Sequence, residues 1–212
     1  MDHSTLPISR TWNIDLQVWL MWVIASTAAI LISVGILIGL IFIANAISTN
    51  VNEDRLAGAI MLPITATILG VCQWLVLRSR ISKSGWWILA TILGTTLAVG
   101  VVQIISRIPR LEWNWDSQLG FQTMFVFIGF MMALAQLPIL WEHFKGSVLW
   151  ILFSIIGWLV MGLIVGISID RTSDIIAVGV IPAIFTGFGL IWLMRKPRIE
   201  LKHSPESSNI TS

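Results

Sequence analysis

Long apolar runs alternate with short polar clusters along nearly the whole chain. The runs cover 16–47, 56–77, 85–106, 119–141, 148–169 and 175–194. A helix needs about 20 consecutive apolar residues to cross the hydrocarbon of a bilayer, and each run reaches that length. The pattern therefore predicts an all-α fold, a polytopic membrane helical bundle of six transmembrane helices spanning 15–195. A polar N-terminal segment at 1–14 precedes it, and a charged, serine-rich, disordered tail at 196–212 follows. The first run exceeds the ~7–15 residues of a signal-peptide core. It reads as an uncleaved helix, tilted or entering through an interfacial first turn.

Features inside the runs point to packing. Small residues recur four apart, as in Ala90, Gly94 and Ala98 or Gly179, Ala183 and Gly187, a spacing that lets helices approach closely. Pro63 predicts a kink, because its ring clashes with the carbonyl four residues back, on Ala59. Sliding the chain by 63 positions lays Gln73 on Gln136, Leu77 on Leu140, Ser84 on Ser147, Trp87 on Trp150 and Gly94 on Gly157. Matches of Gln, Trp and Gly in one register predict a parallel tandem repeat of hairpins, helices two and three followed by helices four and five. The sixth run from Pro182 also resembles the second from Pro63, more loosely.

Charge sets the expected orientation. Of 212 residues 56% are hydrophobic and 11% charged, against about 25% charged in soluble domains, so no soluble domain fits between the runs. With six crossings, nine Lys and Arg fall on the side of the termini and four on the other. The positive-inside rule then places both termini in the cytoplasm. The basic loop Arg78, Arg80 and Lys83 carries much of that bias. Tryptophans near run ends, namely Trp12, Trp19, Trp22, Trp86, Trp87, Trp113, Trp115 and Trp141, are expected at headgroup level. No basic patch is interleaved with exposed aromatics, which argues against nucleic-acid binding.

Candidate chemistry is sparse. No Asp, Glu, Lys, Arg or His lies within a run away from its ends, whereas proton relays, ion coupling and voltage sensing need ionisable groups at depth. His3, His143 and His203 fall in loops or tails with no second ligand at helical spacing, so no metal site is expected. Cys72 is the sole cysteine and forms no intramolecular disulfide. Phosphate-binding and nucleophile motifs are absent, and the chain reads as a non-enzyme. Glu142 and His143 read as part of a solvated turn. The buried polar groups are amides and hydroxyls, led by Gln73 and Gln136 at equivalent places in the two hairpins. Their first reading is hydrogen bonding between helices. Their second is a polar handle for the headgroup of a lipid, quinone or pigment.

The stretch Gln73-Trp-Leu-Val-Leu-Arg78, followed by Gly85-Trp-Trp-Ile-Leu-Ala-Thr-Ile-Leu-Gly94, resembles uncharacterised bacterial multi-pass membrane proteins of cyanobacterial type with tandem hairpins of this kind. The second copy departs from that pattern at Leu137, Trp141 and Leu149. The resemblance implies a fold and a bacterial source, hence a bacterial inner membrane or a thylakoid, and it assigns no site residue. The small-residue faces and the uncharged interior lead instead to the expectation of a scaffold or accessory subunit of a membrane assembly. Its partners would be the lipid bilayer, other membrane proteins or a second copy of the chain. The alternatives are a binder or carrier of a small hydrophobic ligand and a facilitative channel or transporter.

Overall fold

The computed structural model describes residues 8–47, 62–105, 108, 117–167 and 171–196. The described residues build six helices: α1 (Ile8–Ile47), α2 (Leu62–Leu77), α3 (Trp86–Ile105), α4 (Gln118–His143), α5 (Leu149–Ile167) and α6 (Arg171–Met194). Two helices start earlier than expected. α1 begins at Ile8, inside the segment read as irregular, and no Gly or Pro interrupts the chain from there to Val34. α6 begins at Arg171, so the polar stretch 171–174 forms a first helical turn and not a loop. Ser, Thr and Asp are well tolerated at such a start. The expected kink at Pro63 depends on Ala59, which lies outside the described residues, as do Trp113, Trp115, the tail and the side chain of Trp12.

Each helix packs against the next, and α1 closes on both α2 and α6. The six therefore form a closed ring. Among the described residues four stretches are long and apolar enough to cross a membrane: Asp15–Ile43, Trp86–Ile105, Gln122–His143 and Ile176–Met194. Leu62–Leu77 and Leu149–Val165 are shorter apolar helices. The outer face is apolar as well, with Ile24, Ile38, Phe42, Leu97, Ile104 and Phe188 all exposed. Soluble monomers rarely expose apolar surface so continuously. Together these features mark a membrane protein with transmembrane helices.

Several links gather one end of the ring. Lys83 Nζ meets Glu142 Oε1 at 2.8 Å and Arg195 meets Asp15 at 2.9 Å. The Lys145 amide donates to the Lys196 carbonyl at 3.1 Å. The α2–α3 and α4–α5 turns thus lie at the same end as residue 15 and the close of α6. The two turns share their geometry. Each has one residue in the left-handed region, Lys83 at φ 57° and Gly146 at φ 78°. Each is followed by a buried serine whose carbonyl accepts from a tryptophan amide, Ser84 from Trp87 and Ser147 from Trp150, both at 2.9 Å.

Candidate functional site: a tryptophan ring and an axial cavity

Three helices each send one tryptophan to the centre of the ring. Trp22 on α1, Trp87 on α3 and Trp150 on α5 are 0%, 0% and 1% exposed. Their rings meet pairwise edge to face, with centroids 5.7–6.0 Å apart and planes at 71–80°. That arrangement suits the quadrupoles of aromatic rings. The three indoles form the heart of a core that also holds Leu77, Leu140, Leu190 and Leu193, all fully buried.

A buried indole N–H needs an acceptor, and each of the three has one on the preceding helix of the ring. Trp87 Nε1 donates to Gln73 Oε1 at 2.9 Å, and Trp150 Nε1 donates to Gln136 Oε1 at 3.0 Å. Both partners are 14 positions apart in the chain. Trp22 Nε1 donates to Thr186 Oγ1 at 3.0 Å. The glutamines pass the network on to a neighbouring hairpin. Gln73 Nε2 donates to Ser26 Oγ at 3.2 Å, and Gln136 Nε2 to Thr91 Oγ1 at 3.0 Å. Both ends of both amides are therefore engaged within the protein, and these bonds together draw on all six helices.

Space remains along the ring axis in two adjoining chambers. The larger, about 290 Å³, is lined by residues of all six helices, among them Val34, Ala66, Thr95, Ile128, Trp158 and Val178. Among the described residues its wall is apolar apart from threonine hydroxyls, and the buried Thr65 hydroxyl oxygen has no hydrogen-bond partner there. The Thr95 hydroxyl is engaged, donating to the Thr91 carbonyl at 2.9 Å. The smaller chamber, about 30 Å³, lies toward the tryptophans and is bordered by Gln73, Gln136, Ser26, Ser154 and Thr186. The two share Ile30, Leu69, Met132, Trp158 and Val178 as walls.

The expected interface tryptophans divide. Trp86 and Trp141 are exposed at 62% and 51%, and Trp19 is half-buried with its N–H on the Ile184 carbonyl at 3.3 Å. Trp87 and Trp22 are corrections to the surface reading, since both are fully enclosed. The reason is rotational. Trp86 and Trp87 are one residue apart, about 100° around a helix, so one faces out and the other faces the axis. In the basic loop Arg78 and Arg80 are exposed, with Arg78 over the Trp74 ring at 5.9 Å. Lys83 is held by Glu142, and its hydrogen bond to that carboxylate raises its pKa above the ordinary lysine value. His143 Nε2 meets Ser82 Oγ at 2.7 Å, so the Glu142–His143 pair straps the two turns together.

Sequence reasoning counted Thr65, Ser154 and Thr186 among the buried polar groups, but it did not find Thr186 as the acceptor of an indole N–H or the inward role of Trp22. A helical wheel aligned on Trp87 and Trp150 would have shown Trp22 followed four residues later by a hydroxyl, as both of those are. Among the described residues no cluster of three metal-ligating side chains exists. Compared with protein-family models, with curated proteins and with solved structures, the chain matches none.

Proposed function

We propose that this protein binds and holds a small hydrophobic molecule in its axial cavity, without catalysing a reaction. The observation that carries this reading is the 290 Å³ chamber, touched by all six helices and holding the Thr65 hydroxyl, which has no partner among the described residues. Small-molecule sites are typically concave, mostly apolar and ~300–1,000 Å³, with few polar groups. Well-packed interiors contain few voids larger than a water molecule. Gln73 and Gln136 frame this site from below and are already bonded to tryptophan and hydroxyl partners, so they shape the site more than they grip its guest.

The same reading takes all six helices across the membrane. α2 and α5 are short but lie between long neighbours in one closed ring. The basic end of that ring would face the cytoplasm, with both termini there, in a bacterial inner or thylakoid membrane. The matching turns at Lys83 and Gly146, and the matching Gln–Trp bonds, support an internal duplication over 63 positions.

The test is extraction of protein purified in mild detergent, with mass spectrometry of the organic phase. A lipid-soluble compound present near stoichiometry is expected. It should disappear from Ala66→Phe, whose ring would fill the chamber. An extract holding nothing beyond bulk lipid, or a compound retained by the filled variant, would overturn the reading.

A second reading, a scaffold or accessory subunit, has its own observation. Gly35 and Gly39 on α1 have no atom of another described residue within 4 Å of the position of an added Cβ. Ile36, Ile38 and Phe42 beside them are exposed. Blue-native electrophoresis showing a larger species lost in a Gly35→Leu, Gly39→Leu variant would favour it. Migration of the wild type as a lone monomer would count against it.

A further inference from the structure

The tryptophan ring has an approximate three-fold pattern with one member altered. Trp22, Trp87 and Trp150 are each followed four residues later by a hydroxyl, Ser26, Thr91 and Ser154. Gln73, Gln136 and Thr186 each accept one indole N–H. Each is followed four residues later by a fully buried leucine, Leu77, Leu140 and Leu190. The hairpin α6–α1, formed by the two ends of the chain, thus stands as the third unit beside α2–α3 and α4–α5.

In the first two units a glutamine relays the bond onward to a hydroxyl, Gln73 to Ser26 and Gln136 to Thr91. By the same rotation Thr186 should reach Ser154. It is too short. Its hydroxyl turns back to the Pro182 carbonyl at 2.7 Å, and Ser154 donates instead to the Gly129 carbonyl at 3.0 Å. The missing amide leaves a gap in the cycle, and the 30 Å³ chamber has both Thr186 and Ser154 in its wall. A volume of ~10–15 Å³ suffices for a water-sized group.

We infer that this gap receives the hydroxyl of a long-chain alcohol whose hydrocarbon tail fills the larger chamber. The inference rests on the proposed ligand-binding reading and names the class of guest. Polarity decides between headgroups. Among the described residues no Asp, Glu, Lys, Arg or His borders either chamber, so against these walls an ionised head would be buried without a partner, which is severely unfavourable. A hydroxyl both donates and accepts. Ser154 and Thr186 offer oxygen lone pairs, and each glutamine amide has a second N–H. The chamber admits one or two heavy atoms, which excludes a sugar or a phosphate ester. The walls shared by the two chambers place the tail next to the head.

Three photoreactive probes of equal length would test this in nanodiscs of neutral lipid: a dodecanol, a dodecane and a dodecanoate at pH 8, each with a diazirine near the tail end. Peptide mass spectrometry reads labelling of Val34 and Phe125, which line the larger chamber alone. The alcohol should label these residues about three- to tenfold more than the alkane, the worth of one hydrogen bond, and the carboxylate least. Thr186→Gln should bring the alcohol down to the alkane level by closing the cycle. If near-UV circular dichroism shows that this variant has lost its tryptophan packing, Ser154→Ala serves instead, with the same expected loss of preference. Equal labelling by alcohol and alkane, or an alcohol preference unchanged in the folded variant, would overturn the inference and leave the cavity reading standing. No labelling of the chamber by any probe would overturn both.

Discussion

The ring of Trp22 meets the ring of Trp87 edge to face, with centroids 5.9 Å apart and planes at 78°. The two residues are 65 positions apart, and only closure of α1 onto the ring brings them together. Trp22 is also the indole whose acceptor, Thr186, comes from the far end of the chain. Replacing it therefore probes closure directly. Trp22→Phe keeps a ring but leaves Thr186 without its donor, and should cost about 1–2 kcal/mol. Trp22→Ala also opens a cavity and should cost ~3–5 kcal/mol. Thermal unfolding in detergent measures both. Near-UV circular dichroism should lose intensity in each variant, because the three coupled indoles become two.

The glutamines carry a sharper expectation. Gln73→Leu strands the Trp87 N–H in an apolar setting, and Gln136→Leu does the same to Trp150. An unpaired buried donor costs about 1–3 kcal/mol, which for a chain of this size shifts the unfolding midpoint by roughly 2–12 °C. The two variants should be destabilised by similar amounts. A shift in either that falls within measurement error would mean that water reaches the stranded indole.

The class of the fold and half of this network were legible before any coordinates. Apolar runs far above soluble composition can only be helices or barrels in lipid, and their ends were placed within a few residues at α3 and α4. The 63-residue register paired Gln73 with Gln136 and Trp87 with Trp150, because polar and aromatic residues stand out against an apolar background. The third unit showed only as the loose likeness of the sixth run to the second, for a physical reason. Its two helices are the first and last described, so no sliding window sets them side by side, and Thr186 stands where the other two units have a glutamine. Trp22 and Trp87 were misread as surface anchors, since distance from a run end does not reveal which way a helix face points. The cavity had no sequence signal, because its walls are the same Leu, Ile, Val and Met that fill a solid core.

Glycines separate close helix contacts from open ones. A Cβ on Gly94 would sit 2.6 Å from the Met132 Cα and 2.8 Å from the Met131 carbonyl oxygen. Both are backbone atoms of α4, so α3 would have to move away. Gly94→Ala should cost at least ~1–3 kcal/mol, the usual range for overpacking. A Cβ on Gly35 would meet no atom of another helix within 4 Å among the described residues, and Gly35→Ala should be neutral or stabilise by up to ~1 kcal/mol through helix propensity. Paired thermal melts decide this. Equal effects would mean that the α3–α4 interface is looser than the ring requires.

Lys83 links the two turns at the basic end, and its pairing has a defined pH signature. The hydrogen bond to Glu142, and secondarily the carboxylate charge, raise its pKa in the folded protein above the ordinary lysine value. A raised value means that the bond's contribution is fully present below the unfolded pKa and fades as pH climbs through the folded one. The difference in melting temperature between wild type and Lys83→Gln should therefore hold steady from neutral pH into mild alkali, then close above the normal lysine range. Both side chains are more than half exposed, at 65% and 54%, so the effect should be small at every pH. It should shrink further in molar salt, where screening acts within ~3 Å. Measuring it in Lys83→Gly as well separates the bond from the backbone. Glycine loses the ion pair but relieves the left-handed conformation at φ 57°, and Gly146 already occupies the matching place in the second turn. Lys83→Gly should accordingly melt at or above Lys83→Gln at neutral pH, and a lower value would mean that the turn conformation carries no strain for glycine to relieve.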